Sequence, residues 1–276
     1  MAKSALLKSS IGKKYWMALT GLFLCVFLIG HLVGNLQLIY GDALQFNEYT
    51  IFMTTNPAIK ILSYVTYFSI IFHAIDGILL TIQNQKARPV KYAMNKPETN
   101  TVWASRNMAV LGTMILVFIA VHMTNFWGKM HFTTMPLQTI TIDNQGQKMD
   151  FYVTTTEGNY IPTDLEQSGL EIRNDKEFYS RAANVKMGEG IRDLHKVTVA
   201  YFKDPSYGLY YTAFYVFSMV VLGFHLFHGF GSAFQSLGMN NPRYNMLIKN
   251  LGKGFSILVP LLFAIIPIYI HFFLKA

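Results

Sequence analysis

The sequence predicts an all-α integral membrane protein with five transmembrane helices, and both its composition and the grouping of its apolar residues support this. Of the 276 residues, 52% are hydrophobic and only 14% are charged, whereas ordinary soluble domains carry roughly 25% charged residues. A bilayer core of about 30 Å is crossed by a helix of roughly 20 apolar residues. Five apolar blocks reach this length, at about 15–39, 59–83, 108–127, 207–234 and 255–274. A large soluble helical bundle does not need apolar runs of this length.

The first block follows a basic N-terminal segment, a combination that is also typical of a signal peptide. Its apolar run is too long for the core of a signal peptide, and no small-x-small cleavage site ends it. We therefore expect this block to be retained as the first helix.

The distribution of Lys and Arg predicts the orientation of the chain. The N-terminal segment and the connections at 84–107 and 235–254 are rich in these bases, whereas the connection at 40–58 has two acids and no base. Short loops rich in Lys and Arg face the cytoplasm. We expect a multi-pass protein of the bacterial inner (cytoplasmic) membrane, with a cytoplasmic N-terminus and an external C-terminus. The net charge of +8 is therefore interpreted as a topology signal and not as nucleic-acid binding.

The chain is predicted to have three parts: helices one to three over 1–128, an extracytoplasmic insertion over 129–206, and helices four and five over 207–276. Within the insertion, TITIDNQGQKMDFYVTTT alternates and turns near 143–146, which predicts a β-hairpin. GEGIRDLHKVTVAYFKDP predicts a short amphipathic helix that ends before Pro205. The insertion is thus expected to be a small folded unit.

The single cysteine, Cys25, lies in the first apolar block. One thiol excludes an internal disulfide, a CxxC redox pair and a cysteine-ligated iron–sulfur cluster. No CxxCH motif is present, which excludes a covalently attached c-type haem.

Four of the apolar blocks have a histidine near mid-membrane, at His31, His73, His122 and His225. Ionisable residues inside a membrane are costly and are functional by default. A rise of 1.5 Å per residue places His31 about 6 Å and His122 about 7 Å to the outer side of the bilayer centre. His73 lies about 4 Å and His225 about 4–5 Å to the inner side. The histidines therefore fall at two levels, each with two residues from different helices.

Two imidazoles facing each other across one iron are the arrangement that a bis-histidine haem requires. The sequence thus predicts a four-helix haem-binding bundle with two b haems. The first pair, His31 with His122, would hold the outer haem iron, and the second pair, His73 with His225, the inner one. The alternative, in which these histidines only hydrogen-bond neighbouring helices, stays open.

Five further residues are candidates for subsidiary roles. His228 is a rival inner ligand or a partner of a haem propionate, and His271 is a rival outer ligand. Asn35, Gln37 and Glu48 are candidates for contact with a quinone near the outer haem. The two amides serve equally well to tie helix one to its neighbours.

The chain resembles the succinate dehydrogenase/fumarate reductase cytochrome b subunit in its single-chain, five-helix, dihaem (b558) form. The matching stretches are HLVGN at 31–35, FHAIDG at 72–77, FIAVH at 118–122 and FHLFHGFGSAFQSLG at 224–238. The resemblance covers the membrane part and does not extend to the insertion.

The resemblance implies that His31, His73, His122 and His225 ligate two b haems in the pairs given above, with His225 favoured over His228. It implies a membrane anchor for a flavoprotein with FAD and for an iron–sulfur protein, which carry out the dicarboxylate chemistry. Electrons would pass between the iron–sulfur protein and a quinone, menaquinone in the dihaem form, in the respiratory chain.

Three other functions are alternatives for a membrane protein with buried histidines. A proton-coupled transporter would use them as a proton relay, and a purely structural anchor would use them for packing. Another type of membrane dihaem cytochrome b places two histidines on one helix about two heptads apart. His225 and His228 are only three residues apart, so that pattern is absent.

Overall fold

The computed structural model describes residues 9–87, 89–90, 96, 102–144 and 146–275. The first eight residues and 11 of the 24 residues in the 84–107 connection lie outside the described residues. Four of the bases behind the topology prediction, Lys3, Lys8, Arg88 and Lys91, are among them. Residue 145, in the predicted hairpin turn, also lies outside them.

The described chain is mostly helical. In chain order the helices are α1 (Ser10–Tyr40), α2 (Ala43–Thr55), α3 (Pro57–Lys86), α4 (Trp103–Arg106), α5 (Met108–Met123), α6 (Lys129–Phe132), α7 (Leu194–Phe202), α8 (Gly208–Ser236) and α9 (Pro242–Ile268). One π-helical turn (Thr124–Gly128) joins α5 to α6, and a second (Tyr269–Phe273) extends α9. Five runs are long and apolar enough to cross a membrane: α1, α3, α5 continued to α6, α8, and α9 with its π turn.

Two boundaries differ from the prediction because capping residues start helices inside expected loops. The Asp42 side chain accepts a hydrogen bond from the Gln45 amide at 2.7 Å, and α2 follows in a segment expected to be a loop. The Asn241 side chain accepts from the Arg243 amide at 2.9 Å, so α9 starts at Pro242 and not near 255. A side-chain oxygen that satisfies a free amide is the usual start of a helix.

The bundle is centred on α8, which packs against α1, α5 and α9, while α3 packs on α1. Its largest buried cluster lies at the end that carries the insertion, here called the insertion side. The cluster consists of Leu32, Leu38, Phe46, Phe202, Tyr215, Val259, Ile266 and Ile270. Because Phe46 belongs to α2 and Phe202 to α7, these two short helices close the insertion side of the bundle.

The insertion contains two three-stranded antiparallel sheets. The first is β1 (Thr139–Asn144), β2 (Gln147–Val153) and β3 (Tyr160–Pro162), and the second is β4 (Leu170–Arg173), β5 (Glu177–Ser180) and β6 (Lys186–Glu189). The predicted hairpin is confirmed by the pairing of β1 with β2, and the predicted short helix is confirmed as α7. The remaining four strands were not predicted.

A buried polar node, the Asn47 clamp, joins α2 to the insertion. Asn47 has no exposed surface. Its amide nitrogen donates to Gln138 Oε1 at 2.5 Å and to Asp193 Oδ1 at 2.8 Å. Its oxygen accepts from the His195 backbone amide at 3.0 Å. Asp193 also caps α7 by accepting from the Lys196 amide at 2.8 Å. The clamp therefore fixes α7 over the insertion side of the bundle.

Candidate functional site

The four histidines lie on four different spanning helices, and the structure brings them together in two pairs. The rings of His31 and His122 have centroids 5.8 Å apart, with their planes at 88°. The rings of His73 and His225 have centroids 6.1 Å apart, with their planes at 70°. These are the first and second pairs expected from helix depth.

Aromatic rings surround the first pair. Phe27 stacks on His31 at 5.3 Å, and Phe118 stacks on His122 at 5.7 Å. The further rings in contact are Phe263 beside His31, and Phe126 and Tyr215 beside His122. Side chains of this kind exclude water and give the pair a low-dielectric environment.

Both histidines of the first pair have a polar neighbour at Nδ1. The Tyr215 hydroxyl lies 3.4 Å from His122 Nδ1. The Asn35 amide nitrogen lies 3.4 Å from His31 Nδ1 and donates to the His31 carbonyl at 2.7 Å. A second hydrogen-bonding group at one ring nitrogen orients a histidine whose other nitrogen binds a metal. The Tyr215 contact suits ligation of His122 through Nε2, because the hydroxyl can accept from Nδ1–H. The Asn35 amide nitrogen is a donor and does not accept from Nδ1–H of His31.

The second pair is surrounded differently. The Thr20 hydroxyl lies 3.3 Å from His73 Nδ1. A Cβ at Gly21 would lie 3.2 Å from the His73 ring, and one at Gly112 would lie 3.8 Å from the His225 ring. Nδ1 of His225 is buried and has no hydrogen-bond partner among the described residues. Close approach by glycines of neighbouring helices thus makes room for both imidazoles.

Two other histidines were rivals for ligand positions. Within the described part of the chain, the ring that contacts His73 is that of His225, and no ring contact joins His73 to His228. His271 lies in the second π turn, and its Nδ1 is 2.7 Å from the Phe202 carbonyl oxygen. His271 therefore ties the end of α9 to α7.

The residues predicted to contact a quinone are dispersed. Asn35 is engaged with His31, as described above. Gln37 is buried in the last turn of α1, and Glu48 is exposed on α2. Neither Gln37 nor Glu48 makes a side-chain hydrogen bond to any residue that the structure describes. Their role at a quinone site stays a prediction.

Sequence reasoning did not identify Tyr215, Thr20, Gly21 and Gly112. Each of these residues is a hydroxyl-bearing residue or a glycine within an apolar helix, a feature that the sequence alone displays. The partner histidine lies on another helix every time, so the missing information was the rotation of each helix about its own axis.

The donor set offers two imidazoles at each position. The histidines meet two at a time, and no group of three or more His, Cys, Asp or Glu side chains suited to a metal occurs within the described residues. An imidazole nitrogen lies about 2 Å from a bound metal, so two rings on opposite sides of one iron have centroids about 6 Å apart. The separations of 5.8 Å and 6.1 Å agree with a metal whose other ligands come from a macrocycle, as in haem.

No family model, curated protein or solved structure matches this chain.

Proposed function

We propose that the chain is the membrane-anchor dihaem cytochrome b subunit of a succinate:quinone oxidoreductase. In this proposal it carries electrons between an iron–sulfur subunit and a membrane quinone, and a flavoprotein subunit with FAD transforms the dicarboxylate. The observation that supports it most strongly is the presence of two opposed imidazole pairs on four spanning helices.

Two b haems would be held by the four histidines through Nε2, one by His31 and His122 and the other by His73 and His225. When bound, the haems supply reversible one-electron transfer between ferric and ferrous iron. The polar neighbours at Nδ1 orient the rings, since an imidazole hydrogen-bonded at one nitrogen presents the other in a fixed direction. Tyr215 has this role for His122, and Thr20 has it for His73.

The helices around each pair keep water away from the ligands. Phe27 and Phe118 cover the first pair by stacking on its rings. Burial, axial-ligand identity and hydrogen bonds to the ligands are the means by which a protein sets a haem potential. Because these differ between the two pairs, we expect the two haems to have different potentials.

The partner subunits dock at the end of the bundle opposite the insertion. The first turns of α9 lie at that end and expose Arg243, Lys249 and Lys253. Such a basic surface attracts an acidic partner and speeds its encounter. In the proposed orientation this end faces the cytoplasm, and the quinone, menaquinone in this form of the enzyme, binds near the first pair. The same path serves succinate oxidation and fumarate reduction.

Haem quantitation on the purified complex tests the proposal. We expect two b haems per copy of this chain, with a reduced-minus-oxidised spectrum typical of b-type haem. A complex that assembles and contains no haem would contradict the proposal and favour a transporter or a structural anchor.

A further inference from the structure

A cleft in the membrane-facing surface lies one helical turn from His122. It has a volume of about 260 Å³ and is lined by Ala120, Val121, Thr124 and Asn125. In the most apolar stretch of this spanning run only 6% of the residues are buried, so the helix faces outward and the cleft opens towards lipid. Its polar edge coincides with the start of the first π turn. Short π-helical turns inside α-helices are frequent at functional sites.

A series of polar side chains connects this cleft to the first pair. The Asn125 amide nitrogen donates to the Tyr201 hydroxyl at 3.0 Å. The Tyr215 ring lies 6.0 Å from the Tyr201 ring, centroid to centroid, and the Tyr215 hydroxyl lies 3.4 Å from His122 Nδ1. Two neighbouring phenols therefore lie between the amide at the edge of the cleft and a histidine of the first pair.

The chemistry of the series determines which donors remain free at the cleft. A neutral imidazole that binds a metal through Nε2 carries its proton on Nδ1, so His122 donates to Tyr215. Burial, assisted by Tyr211, raises the pKa of Tyr201 to about 12, and its hydroxyl therefore keeps its proton at neutral pH. Tyr201 accepts from Asn125. The second amide proton of Asn125 is then available to a ligand.

Asn125 is better suited to a ligand than the amide predicted from sequence. The Asn35 amide nitrogen is committed to the His31 carbonyl at 2.7 Å. Within the described residues the Asn125 side chain makes one hydrogen bond, the one to Tyr201, and it lines an open cleft. A free donor beside an apolar surface is suited to a ligand that has a carbonyl oxygen and dissolves in lipid.

We propose that this cleft binds the headgroup of a membrane quinone, with a carbonyl oxygen of the quinone accepting a hydrogen bond from the Asn125 amide. The cleft, about 260 Å³, is smaller than the roughly 300–1,000 Å³ of enclosing small-molecule pockets, so it would contact one face of a headgroup of one or two rings while the isoprenoid tail lies in the bilayer. The inference rests on the proposed function and gives it a second quinone location, distinct from Gln37 and Glu48.

Photolabelling of the whole complex tests the site. The complex is reconstituted in phospholipid nanodiscs with a photoreactive azido-menaquinone, and the labelled peptides are mapped by mass spectrometry. We expect label on the segment that contains residues 120–125. We expect Asn125→Leu to reduce that label at least tenfold and Tyr201→Phe to reduce it several-fold. Thr113→Val is the matched control because Thr113 is an exposed threonine on the same spanning run, away from the cleft.

The outcomes separate this inference from the proposed function. A haem spectrum recorded on each sample shows whether the first pair is intact, so loss of label with both haems present assigns the effect to the cleft. Label that stays on residues 35–48 and survives Asn125→Leu would overturn the inference and leave the proposed function standing. Label in the cleft that excess phospholipid removes but unlabelled menaquinone does not would identify a lipid site and would also overturn it.

Discussion

The two histidine pairs present the same ligand atoms from different surroundings. In the first pair, both imidazoles have a polar neighbour at Nδ1 and stacked phenylalanines. In the second pair, His73 has the Thr20 hydroxyl, while Nδ1 of His225 has no partner among the described residues. Glycines of neighbouring helices, Gly21 and Gly112, approach the rings of the second pair.

This difference shows two ways of fixing an imidazole in a helical bundle. In the first pair the Tyr215 hydroxyl orients His122. Tyr215 in turn packs against Phe202 of α7, which the Asn47 clamp holds in place. The second pair is oriented mainly by close packing against small residues. Variants that alter hydrogen bonds should therefore act on the first pair, and variants that add volume should act on the second.

The largest expected effect comes from removing one ligand from one pair. His122→Ala should lower the haem content from two to one per chain and leave the second pair loaded, because an iron without one axial ligand is held weakly. His73→Ala should do the reverse. Haem quantitation with reduced-minus-oxidised spectra measures both.

The exposed His131, which stacks on Trp127 at 4.3 Å, provides the matched control, and His131→Ala should retain both haems. His122→Met keeps an axial ligand that haem accepts and should retain two haems with one potential raised. Two haems in both alanine variants would mean that the pairs are not the ligands.

The next largest effect should come from the Asn47 clamp and should be confined to the insertion side. Asn47→Ala leaves buried partners short of hydrogen bonds, among them the Asp193 carboxylate, which is 6% exposed. We expect about 2–4 kcal/mol less protection of α7 against opening. Amide hydrogen exchange across α7 measures the loss.

Thr55→Ala, on the exposed part of α2, is the matched control for the clamp variant and should change little. Faster exchange throughout α3, which carries a ligand of the second pair, would show that the clamp supports the entire bundle. The comparison between the two pairs would then fail.

A smaller effect is expected from Tyr215→Phe, which removes the hydroxyl beside His122 Nδ1. Without an acceptor for the Nδ1 proton the imidazole is a weaker donor to ferric iron, so the potential of the first haem should rise. A hydrogen bond worth about 0.5–1.5 kcal/mol corresponds to roughly 20–65 mV for a one-electron couple. A potentiometric titration resolves the two haems.

Tyr211→Phe is the control for this variant, because Tyr211 stacks on Tyr201 at 4.2 Å without contact to His122. Its titration should match that of the unmodified protein. Equal shifts of both haems in Tyr215→Phe would contradict a contact local to the first pair.

The smallest effect is a pH dependence of the insertion side. Burial lowers the pKa of His195 in α7, although Asp193 and Asp42 act to raise it. The folded state therefore favours the neutral ring, and this contribution to stability is complete above the unfolded pKa of about 6.5. It declines as the pH falls from there towards the lowered folded pKa.

We expect the protection factors of the α7 amides, which correct for the intrinsic pH dependence of exchange, to fall below about pH 6.5 while those of α3 stay unchanged. His195→Gln should remove most of this dependence because the amide does not titrate. The same pH dependence in His195→Gln would assign the effect to another group.

The pairing of the histidines was predictable because it depends only on the depth of each histidine in the membrane. Helix rise and bilayer thickness fix the depth of a residue, and His31 with His122, and His73 with His225, share depths. The five apolar helices were predictable for the same reason, since length and composition decide them.

The residues that contact and position each pair were not predictable. Their contacts depend on the rotation of each helix about its axis and join residues that are far apart in the sequence. Gly77, one turn after His73, was visible in the sequence, yet the glycine that approaches the His73 ring is Gly21 on α1. The Asn47 clamp joins residues 146 positions apart. The helix α2 was missed because its sequence is polar enough to suggest a loop.

The central claim is that each pair binds one iron through two imidazoles, and electron paramagnetic resonance of the oxidised protein tests it most directly. Axial imidazoles with planes far from parallel, at 88° and 70° here, give low-spin ferric haem with a large maximum g value. We predict two such low-spin signals, with the larger maximum g value from the first pair. A haem-loaded protein that gives only high-spin ferric signals would show that the paired histidines do not ligate the iron.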